Sequence, residues 1–360
     1  MKFSDISNIF KNKRVLITGN TGFKGSWLTV WMLRFNAKVY GFSNQILTKP
    51  SMFEVTRLSQ KIKQVFGDIR DYKKLKKTIN SIKPDYIFHL AAQSLVYKSY
   101  NDPLYTWQTN TIGTVNMLEV LRNYKKKVNV VLITSDKSYK NLEISRGYNE
   151  NDLLGGKDPY SGSKAAAENA IYSYLNSFNF NNNIRVATAR AGNVIGGGDW
   201  SDNRLIPDCI KNWSKKKVIK VRSPNATRPW QHVMEALSGY IFLSYFLKKS
   251  SKFHGEVFNF GPRQNANYSV KNILNLLKNK LPNFRWNVHS KKKYFESKLL
   301  KLNSSKALKF LKWQSVLNIN QIINFLTIWY KSYYLKKNIY ELTINQIKEF
   351  EKILEKRINK

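Results

Sequence analysis

Cysteine and histidine are scarce in this chain of 360 residues, which contains one cysteine and four histidines. A single cysteine, Cys209, excludes an intramolecular disulfide and a cysteine-based zinc site, and we expect it to be a small core residue. The histidines lie at scattered positions without the spacing of metal ligands: His89, His232, His254 and His289. The sequence therefore predicts no metal site.

Long apolar runs are also lacking. No stretch approaches the ~18 consecutive apolar residues of a transmembrane helix. A signal peptide does not fit either, because charged residues reach position 14 and the first apolar run, Val15 to Ile17, is too short for its core. We therefore expect a cytoplasmic protein without a membrane partner.

Acidic residues are few, since 23 Asp plus Glu stand against 61 Lys plus Arg and give a formal net charge of +38. Such an excess is typical of proteins that bind nucleic acid or another acidic surface. The alternative is a composition bias, because Lys, Asn, Ile, Tyr and Phe are over-used together and the basic residues are spread along the chain. We favour the bias and expect no nucleic-acid partner. In either case the positive field should attract an anionic substrate at low salt.

What the chain does contain is a hydrophobic fraction of 42%, enough for a well-packed interior. Short runs rich in β-branched and aromatic residues predict buried strands at Arg14–Thr18, Lys38–Phe42, Ile62–Phe66, Tyr86–Leu90, Val128–Thr134 and Ile184–Ala189. Amphipathic runs between them predict helices at 23–35, 71–82, 104–124 and 159–177. Repeated strand–helix–strand units indicate an α/β fold, a Rossmann-type doubly wound parallel sheet.

The pattern changes after about residue 190, where Gly and Pro cluster and helices predominate. Helices are predicted there at about 232–249, 268–279, 318–335 and 340–358. We expect a dinucleotide-binding domain over 1–190 and a smaller, mostly helical substrate lobe over 191–360, with crossings back to the first. The final helix is rich in Lys and Glu at i,i+4 spacings, so we expect a solvated helix or a subunit contact.

A glycine loop follows the first predicted strand, with glycines at 19, 22 and 25. Small residues let the backbone approach a pyrophosphate, and the next helix directs free N–H groups and the positive end of its dipole towards it. The loop alone is a weak signal, but its position at the head of a chain of βαβ units strengthens it. The alternative is a packing turn without a ligand.

A dinucleotide site usually has an acidic residue about 20 positions after the loop, on the adenosine ribose. Residues 37–49 contain no Asp or Glu and no Arg, and Ser43 lies nearest the expected place. The loop therefore leaves NAD and NADP open. Asp68, after the third strand, can hold the adenine edge; alternatively it caps the helix that begins near Asp71.

Tyr160 and Lys164 lie one helical turn apart on the same helix face. A nearby cation lowers the pKa of a phenol, so we expect Tyr160 to act as a base towards a sugar hydroxyl. The Tyr–Lys spacing itself recurs elsewhere in this chain. The Tyr160 pair is distinguished by its helix, which follows strand five and precedes strand six and thus brings it to the carboxyl edge of the sheet.

Strand five ends in Ser135, Asp136 and Lys137, which it delivers to the same edge. Three polar, proton-handling side chains after an apolar strand are hard to explain as packing, although a capping or turn cluster is the alternative. Ser135 can hydrogen-bond a substrate hydroxyl, and a buried Asp136 can serve as an acid.

With these motifs in place, the sequence resembles the nucleotide-sugar 4,6-dehydratases of the extended short-chain dehydrogenase/reductase family, most closely the group that acts on CDP-glucose. The resemblance runs from about residue 8 to 335. It rests on seven segments that match in order: Thr18–Leu28, His89–Ser94, Thr134–Tyr139, Asp158–Lys164, Ala189–Trp200, Arg204–Asp208 and Arg228–Val233.

The resemblance implies a role for each matching residue. The cofactor, NAD with NADP not excluded, would contact Gly19, Asn20, Thr21, Gly22, Phe23, Lys24, Gly25, Asp68, Ile69, Leu90, Ala91, Ala92, Gln93, Tyr160 and Lys164. The catalytic residues would be Ser135, Asp136, Lys137, Tyr160 and Lys164. The nucleotide diphosphate of the substrate would be held by Asn193, Arg204, Arg228 and Asn259. A homodimer is expected through the helices near 104–124 and 159–177.

The implied reaction is that of a lyase, which converts CDP-glucose to CDP-4-keto-6-deoxyglucose and water, as in deoxysugar and O-antigen lipopolysaccharide biosynthesis. Tyr160 takes the C4 hydroxyl proton while hydride passes to NAD⁺, water is lost across C5–C6 with Asp136 as acid, and hydride returns to C6. No net oxidation occurs, so the cofactor should stay bound.

Lys137 is a departure from the wider dehydratase pattern. Relatives that act on dTDP-glucose or GDP-mannose have Glu there as the C5 base, whereas the CDP-glucose group has Lys. A lysine with the ordinary pKa of ~10.4 must be desolvated or placed beside another cation to act as a base. We hypothesise that Lys137 is the C5 base.

Three other functions stay open. They are a 4,6-dehydratase of another nucleotide sugar, a nucleotide-sugar 4-epimerase, and a non-catalytic basic protein that binds nucleic acid. An epimerase needs no acid for C6, so the Ser135–Lys137 run disfavours it.

Overall fold

A seven-stranded parallel sheet forms the centre of the molecule in the computed structural model, which describes residues 2–178, 180, 183–263, 267–289 and 300–358. Its strands are β1 (Arg14–Thr18), β2 (Lys38–Ser43), β3 (Lys63–Phe66), β4 (Tyr86–His89), β5 (Val128–Ile133), β6 (Ile184–Ala191) and β7 (Val257–Phe260). The spatial order is β7-β6-β5-β4-β1-β2-β3, and every pairing is parallel. The predicted doubly wound α/β fold is confirmed.

The strand order reverses between β1 and β4, which both run at the middle of the sheet. Thr18 pairs with His89 at the ends of these two strands. The loops that follow β1 and β4 therefore separate to opposite sides and leave a crevice at the carboxyl edge, the usual ligand site of such sheets.

Helices cover both faces of the sheet, and this explains why the central strands are apolar throughout. In the first half they are Phe3–Asn8, Phe23–Arg34, Met52–Val55, Tyr72–Ile82, Val96–Asn101, Pro103–Trp107, Gly113–Arg122 and Pro159–Ser177. In the second half they are Leu205–Ser214, Val233–Lys249, Val270–Lys280, Ser305–Leu311, Ile319–Tyr334 and Ile339–Ile358. Short 3-10 turns lie at Leu58–Gln60, Asp136–Ser138 and Ser251–Phe253.

The helix predicted over 104–124 is not continuous. A π-helical turn, Gln108–Ile112, interrupts it between Pro103–Trp107 and Gly113–Arg122. Within this turn Asn110 directs its side chain to Gln93 and Ser163 instead of leaving it towards solvent. A π turn inserts one extra residue and so re-aims a side chain, often at a functional site.

The second half adds short strand pairs around the crevice. Val194–Ile195 pairs with Gln231–His232, Ile219–Val221 with Trp286–Val288, and Thr227–Pro229 with Asn267–Ser269. β7 also belongs to this half of the chain but joins the central sheet beside β6. It is one crossing of the expected kind, while the division into lobes at residue 190 stays a prediction.

The C-terminal helix Ile339–Ile358 is solvated on one face only, and a subunit contact through that face stays a prediction. Its apolar face packs on the helix that follows the glycine loop, with the Phe350 and Trp31 rings 5.7 Å apart. Glu351 accepts a hydrogen bond from Trp31 Nε1 at 2.9 Å and pairs with Arg34. The Lys and Glu pattern describes the outer face of the helix only.

Two hydrophobic cores lie on the two faces of the sheet. Cys209 is fully buried in the larger core, as the sequence predicts. None of the helices in the described ranges has the length and apolar character needed to cross a membrane.

Candidate active site

A cavity of about 1350 Å³ opens at the carboxyl edge of the sheet, where the strand order reverses. It exceeds the ~300–1,000 Å³ of an ordinary small-molecule pocket, so it has room for two ligands side by side. Of the predicted site residues its wall contains Gly19, Thr21, Gly22, Phe23, Lys24, Gly25, Asp68, Ile69, Leu90, Ala91, Ala92, Gln93, Ser135, Asp136, Lys137, Tyr160, Lys164, Asn193, Arg204 and Arg228. Only Asn20 and Asn259 are not brought to this wall.

Asn20 lies behind the glycine loop and is fully buried. Its side chain donates to Gln64 Oε1 at 2.6 Å and accepts from Ser43 Oγ at 2.8 Å. Asn20 therefore connects the loop to the end of β2 and to β3 and supports the site from behind.

Asn259 is also fully buried, on β7. Its side-chain amide donates to the Tyr148 carbonyl at 2.9 Å, and its Oδ1 accepts from the Tyr139 hydroxyl at 2.9 Å. Its hydrogen bonds are thus all to other protein groups, and it does not line the cavity with Arg204 and Arg228, the residues predicted to bind the diphosphate with it.

The glycine loop fits a pyrophosphate. Gly19 has a φ of +71°, and a Cβ there would lie 2.8 Å from the backbone of Ala91. A Cβ on Gly25 would overlap the Gly19 carbonyl oxygen. Gly22 begins the helix Phe23–Arg34 without a side-chain cap, and the first turn contains no acid. The first-turn N–H groups are therefore available to an anion, in a cradle that side chains would fill.

Asp68 lies on the wall after β3, but Arg70 engages its carboxylate. Arg70 Nη2 lies 2.8 Å from Asp68 Oδ2. Burial alone would raise the pKa of Asp68, but the hydrogen bonds and charge of Arg70 outweigh it and lower the pKa. The cap of the helix Tyr72–Ile82 is Asp71, not Asp68, so the capping alternative for Asp68 is wrong.

Tyr160 and Lys164 project from the helix Pro159–Ser177, which starts sharply because Asp158 caps it and Pro159 occupies its first position. Burial raises the pKa of Tyr160 to about 12, opposed by a hydrogen bond between the Ser135 and Tyr160 side chains. Burial lowers the pKa of Lys164 to about 8. The phenol pKa in the free chain is therefore raised, not lowered as expected, because desolvation of the phenolate dominates.

Ser135, Asp136 and Lys137 form a tight turn at the end of β5. Ser135 Oγ donates to Asp136 Oδ1 at 3.0 Å and accepts from the Lys137 backbone N–H at 3.2 Å. The capping alternative is thus true of Ser135, which in addition contacts Tyr160. Asp136 is 4% exposed and lies against Gly192, where a Cβ would come within 3.0 Å of its Oδ2.

Lys24 belongs to the glycine loop, and its side chain contributes a charge to the cavity. Burial lowers its pKa to about 8, helped by the charges of Arg204 and Lys164 and opposed by Asp136. The Lys24 ammonium group therefore interacts electrostatically with Asp136 and Lys164, two of the proton-transfer residues. The glycine spacing of the loop does not indicate this interaction.

Several arginines and asparagines line the far side of the cavity. Arg204 Nη1 lies 3.3 Å from Asp199 Oδ2, and the Arg228 guanidinium donates to the Thr227 carbonyl at 2.8 Å. Arg222 also lines the wall, near Asp208, and sequence reasoning missed it. Three guanidinium groups on the wall of one cavity are well suited to bind the oxygens of a diphosphate.

Asn110 is a further residue that the sequence did not reveal. Its amide donates to Ser163 Oγ at 2.9 Å and to the Gln93 carbonyl at 3.1 Å, and its Oδ1 accepts from the Gln93 N–H at 2.8 Å. It links the loop after β4 to the helix of Tyr160. The only signal is a polar Thr-Asn-Thr run inside an otherwise helical segment.

Comparisons with known proteins place this geometry in context. The family model described as GDP-mannose 4,6 dehydratase matches residues 16–325. The chain is similar to the CDP-glucose 4,6-dehydratase of Salmonella typhimurium, with 40% identity over 91% of this chain and 92% of that protein.

Two solved structures have the same fold. A dTDP-glucose 4,6-dehydratase from Bacillus anthracis in complex with NAD has a TM-score of 0.75 and 22% identity, over 91% of this chain and 99% of that one. A UDP-glucose 4-epimerase from Thermotoga maritima has a TM-score of 0.77 and 19% identity, over 89% and 99% of the two chains.

Proposed function

The chain belongs to the GDP-mannose 4,6-dehydratase family, and on that premise we propose that it is a lyase that converts CDP-glucose to CDP-4-keto-6-deoxyglucose and water. The observation that carries the proposal is the turn Ser135–Lys137 beside Tyr160. A sugar oxidation needs only the Tyr–Lys pair, whereas the loss of water needs an additional acid, and Asp136 is such a group in the same cavity.

We propose NAD as the resident cofactor. When bound, NAD would supply the hydride chemistry, oxidation at C4 of the sugar and reduction at C6. The glycine loop, Gly19 to Gly25, would hold the pyrophosphate, and Asp68 and Ile69 would lie by the adenine. Leu90, Ala91, Ala92 and Gln93 would border the rest of the dinucleotide, since they line the wall between the loop and Tyr160.

Tyr160 would take the proton of the C4 hydroxyl. In the free chain burial holds this phenol in its neutral form, with a pKa of about 12. The Ser135 hydrogen bond stabilises the phenolate, and the Lys164 ammonium one helical turn away would act in the same direction. Tyr160 would therefore lose its own proton, favoured by Ser135 and Lys164, before it takes that of the C4 hydroxyl.

Asp136 and Lys137 would then carry the elimination. Lys137 removes the C5 proton, Asp136 gives a proton to the C6 hydroxyl, and the C6–O bond breaks to release water. A proton later returns to C5 from solvent, so the net change is the loss of one water. Asn193, Arg204 and Arg228 would hold the diphosphate, and Asn259 would act only indirectly, through Tyr139.

Mass spectrometry of CDP-glucose incubated with the purified protein in D₂O, without added cofactor, tests the proposal. We expect the product to lose one water and to gain one deuterium at C5, because the departing C5 hydrogen is replaced from solvent. A product of unchanged mass but altered C4 configuration would instead establish a 4-epimerase. If only dTDP-glucose or GDP-mannose reacts, the choice of base is wrong while the reaction type stands.

We further propose a homodimer in the cytoplasm, where its product would enter deoxysugar and O-antigen synthesis. The support for the dimer is an apolar surface on two neighbouring helices. Leu104 and Trp107 are exposed on Pro103–Trp107, Ile112 on the π turn that continues it, and Tyr172, 73% exposed, on Pro159–Ser177. A second copy of this chain is the occupant that we assign to these side chains, since large apolar side chains left exposed on two helices that pack together are typical of an interface.

A further inference from the structure

One buried carboxylate, that of Glu168, grips both ends of the turn that contains Ser135, Asp136 and Lys137. Glu168 Oε1 accepts from Thr134 Oγ1 at 2.7 Å and shares the Ser138 hydroxyl, 2.8 Å away, with the Ser135 carbonyl, 2.6 Å from that hydroxyl. Thr134 directly precedes the turn and Ser138 ends it. The carboxylate therefore holds the turn from both sides.

Glu168 also belongs to the helix Pro159–Ser177, one turn beyond Lys164 and two beyond Tyr160. The position of Tyr160 relative to Lys164 is set by the helix itself. The position of the turn relative to that helix depends on contacts between them, and Glu168 supplies two of these contacts.

Arg190 on β6 completes the arrangement. It meets both carboxylate oxygens of Glu168 through Nε, at 2.9 and 2.8 Å, and through Nη2. Its Nη1 donates to the Tyr139 hydroxyl at 2.6 Å, and Tyr139 donates in turn to Asn259. The network thus joins β5, β6, β7 and the helix of Tyr160 beneath the cavity.

A buried ion pair is a poor means of gaining stability alone. The side chains of Arg190 and Glu168 are 4% and 3% exposed, and desolvation of two such charges offsets most of their attraction. Apolar side chains of similar volume would serve a core equally well. Unlike apolar side chains, the pair fixes the orientation of the Glu168 carboxylate, because each of its oxygens accepts hydrogen bonds from defined donors.

We propose that Glu168, held by Arg190, is a positioning residue that aligns Asp136 and Lys137 with the sugar for the loss of water. The inference rests on the proposed dehydratase function. Tyr160 and Lys164 keep their mutual geometry without it, since they share a helix. Loss of these contacts should therefore slow the elimination across C5–C6, which uses Asp136 and Lys137 directly, more than the oxidation at C4, which the turn affects only through the Ser135 bond to Tyr160.

The test uses the holoenzyme and two variants. Glu168→Gln removes the charge and keeps the shape. Thr134→Val removes a contact of Glu168 with the turn while the ion pair with Arg190 and the bond from Ser138 to Ser135 stay intact, so it tests the contact without leaving a buried charge unpaired. Glu119→Gln, which breaks the surface pair of Glu119 with Arg122, is the matched control.

We expect both variants to lower kcat at least tenfold with KM for CDP-glucose within about twofold of the parent. Reduced nicotinamide, followed by its absorbance during single turnover, should accumulate because oxidation outpaces elimination. Glu119→Gln should change none of these quantities. A drop in thermal stability without a change in kcat or in reduced nicotinamide would show that the network is structural only and would overturn the proposal.

Hydrogen–deuterium exchange of the peptide 134–139 tests the positioning independently of turnover. Faster exchange in this peptide, with unchanged exchange in 160–168, is expected for both variants. If the parent protein releases no water from CDP-glucose, the proposed function fails, but the exchange experiment still decides whether Glu168 holds the turn. Unchanged exchange in 134–139 would overturn the positioning role in either case.

Discussion

Asp136 is the residue on which the distinction between a dehydratase and a simple sugar oxidation depends. It is buried at the end of β5 and bonded by Ser135. We predict that Asp136→Asn lowers the rate of water loss by about 10²–10⁴-fold, the usual contribution of a general acid. Bound reduced nicotinamide should still form, because Tyr160 and Lys164 are untouched.

Single-turnover absorbance combined with product mass measures the two steps of Asp136→Asn separately. Asp5→Asn, at an exposed carboxylate near the amino terminus, is the control for the loss of one acid. Water loss at the parental rate in Asp136→Asn would assign the C6 acid to another group.

Lys24 shows a conflict between stability and function at a single residue. Burial and the charges of Arg204 and Lys164 lower its pKa to about 8 from an ordinary value near 10.5. The unfolded chain therefore binds more protons between about pH 8 and 10.5, so the Lys24 term destabilises the fold fully below pH 8 and fades as the pH rises through that window.

We accordingly predict that Lys24→Met raises the Tm of the cofactor-free protein by a few degrees at pH 7, and by less at pH 10. It should also weaken binding of the dinucleotide or the substrate, since the cavity loses a cation that faces Asp136. Differential scanning calorimetry at the two pH values is the measurement. A Tm gain that grows with pH would mean that the buried Lys24 ammonium does not destabilise the fold.

At the scale of elements, the glycine loop allows two roles of glycine to be separated. A Cβ on Gly25 would overlap the Gly19 carbonyl oxygen, whereas the nearest atom to a Cβ on Gly22 is 3.4 Å away. We predict that Gly25→Ala lowers the Tm of the cofactor-free protein, because the loop must shift. Gly22→Ala should keep that Tm but weaken dinucleotide binding at least tenfold, since its methyl group enters the space of the pyrophosphate.

Calorimetry and titration with NAD distinguish the two outcomes, and each variant serves as the control for the other. Equal dinucleotide affinity in Gly22→Ala and the parent would argue against a pyrophosphate at this loop.

The sequence predicts some elements closely and others poorly, for physical reasons that are specific to each. β1 and the helix Pro159–Ser177 match their predicted bounds because an apolar run and an Asp-Pro start are local signals. The π turn at Gln108–Ile112 depends on Asn110 reaching Gln93 and Ser163, partners that a local pattern does not contain. β7 is absent from the predicted strands, since its four-residue run is short and is interrupted by Asn259, whose partners Tyr139 and Tyr148 a local pattern does not contain.

The candidate site follows the same rule. Residues that follow strands in recognisable motifs, such as Ser135 and Tyr160, lie on the cavity wall as expected. Asn20 and Asn259 do not lie on the wall, because the residues that they hydrogen-bond are remote in the sequence. Glu168 escapes sequence analysis for the same reason, since its partner Arg190 lies on β6. Remote polar partners decide whether an asparagine faces a ligand or the protein.

At the scale of the whole molecule, the apolar surface of the two neighbouring helices predicts a dimer of the 42.0 kDa chain. We expect the double substitution Leu104→Asp/Tyr172→Asp to halve the mass in analytical ultracentrifugation, because charge on both helices opposes burial of this face. Lys337→Asp, a change of charge at a distant turn, should leave the mass unchanged. A parent protein that sediments as a monomer would remove the dimer from the proposal.

The net charge of +38 is either a composition bias or a property that helps to attract the substrate, and the dependence of KM on salt distinguishes the two. Only the cations on the cavity wall, such as Lys24 and Arg204, need contact an anionic sugar nucleotide; the others add a diffuse field. Salt screens such a field beyond ~8 Å at physiological ionic strength. KM should therefore rise several-fold between low salt and about 0.5 M NaCl while kcat, measured at saturation, stays nearly constant. A KM independent of salt would show that the field has no part in capture, and the excess of lysine would then be bias alone. Steeply salt-dependent retention on DNA by a protein without bound nicotinamide would instead revive the nucleic-acid alternative.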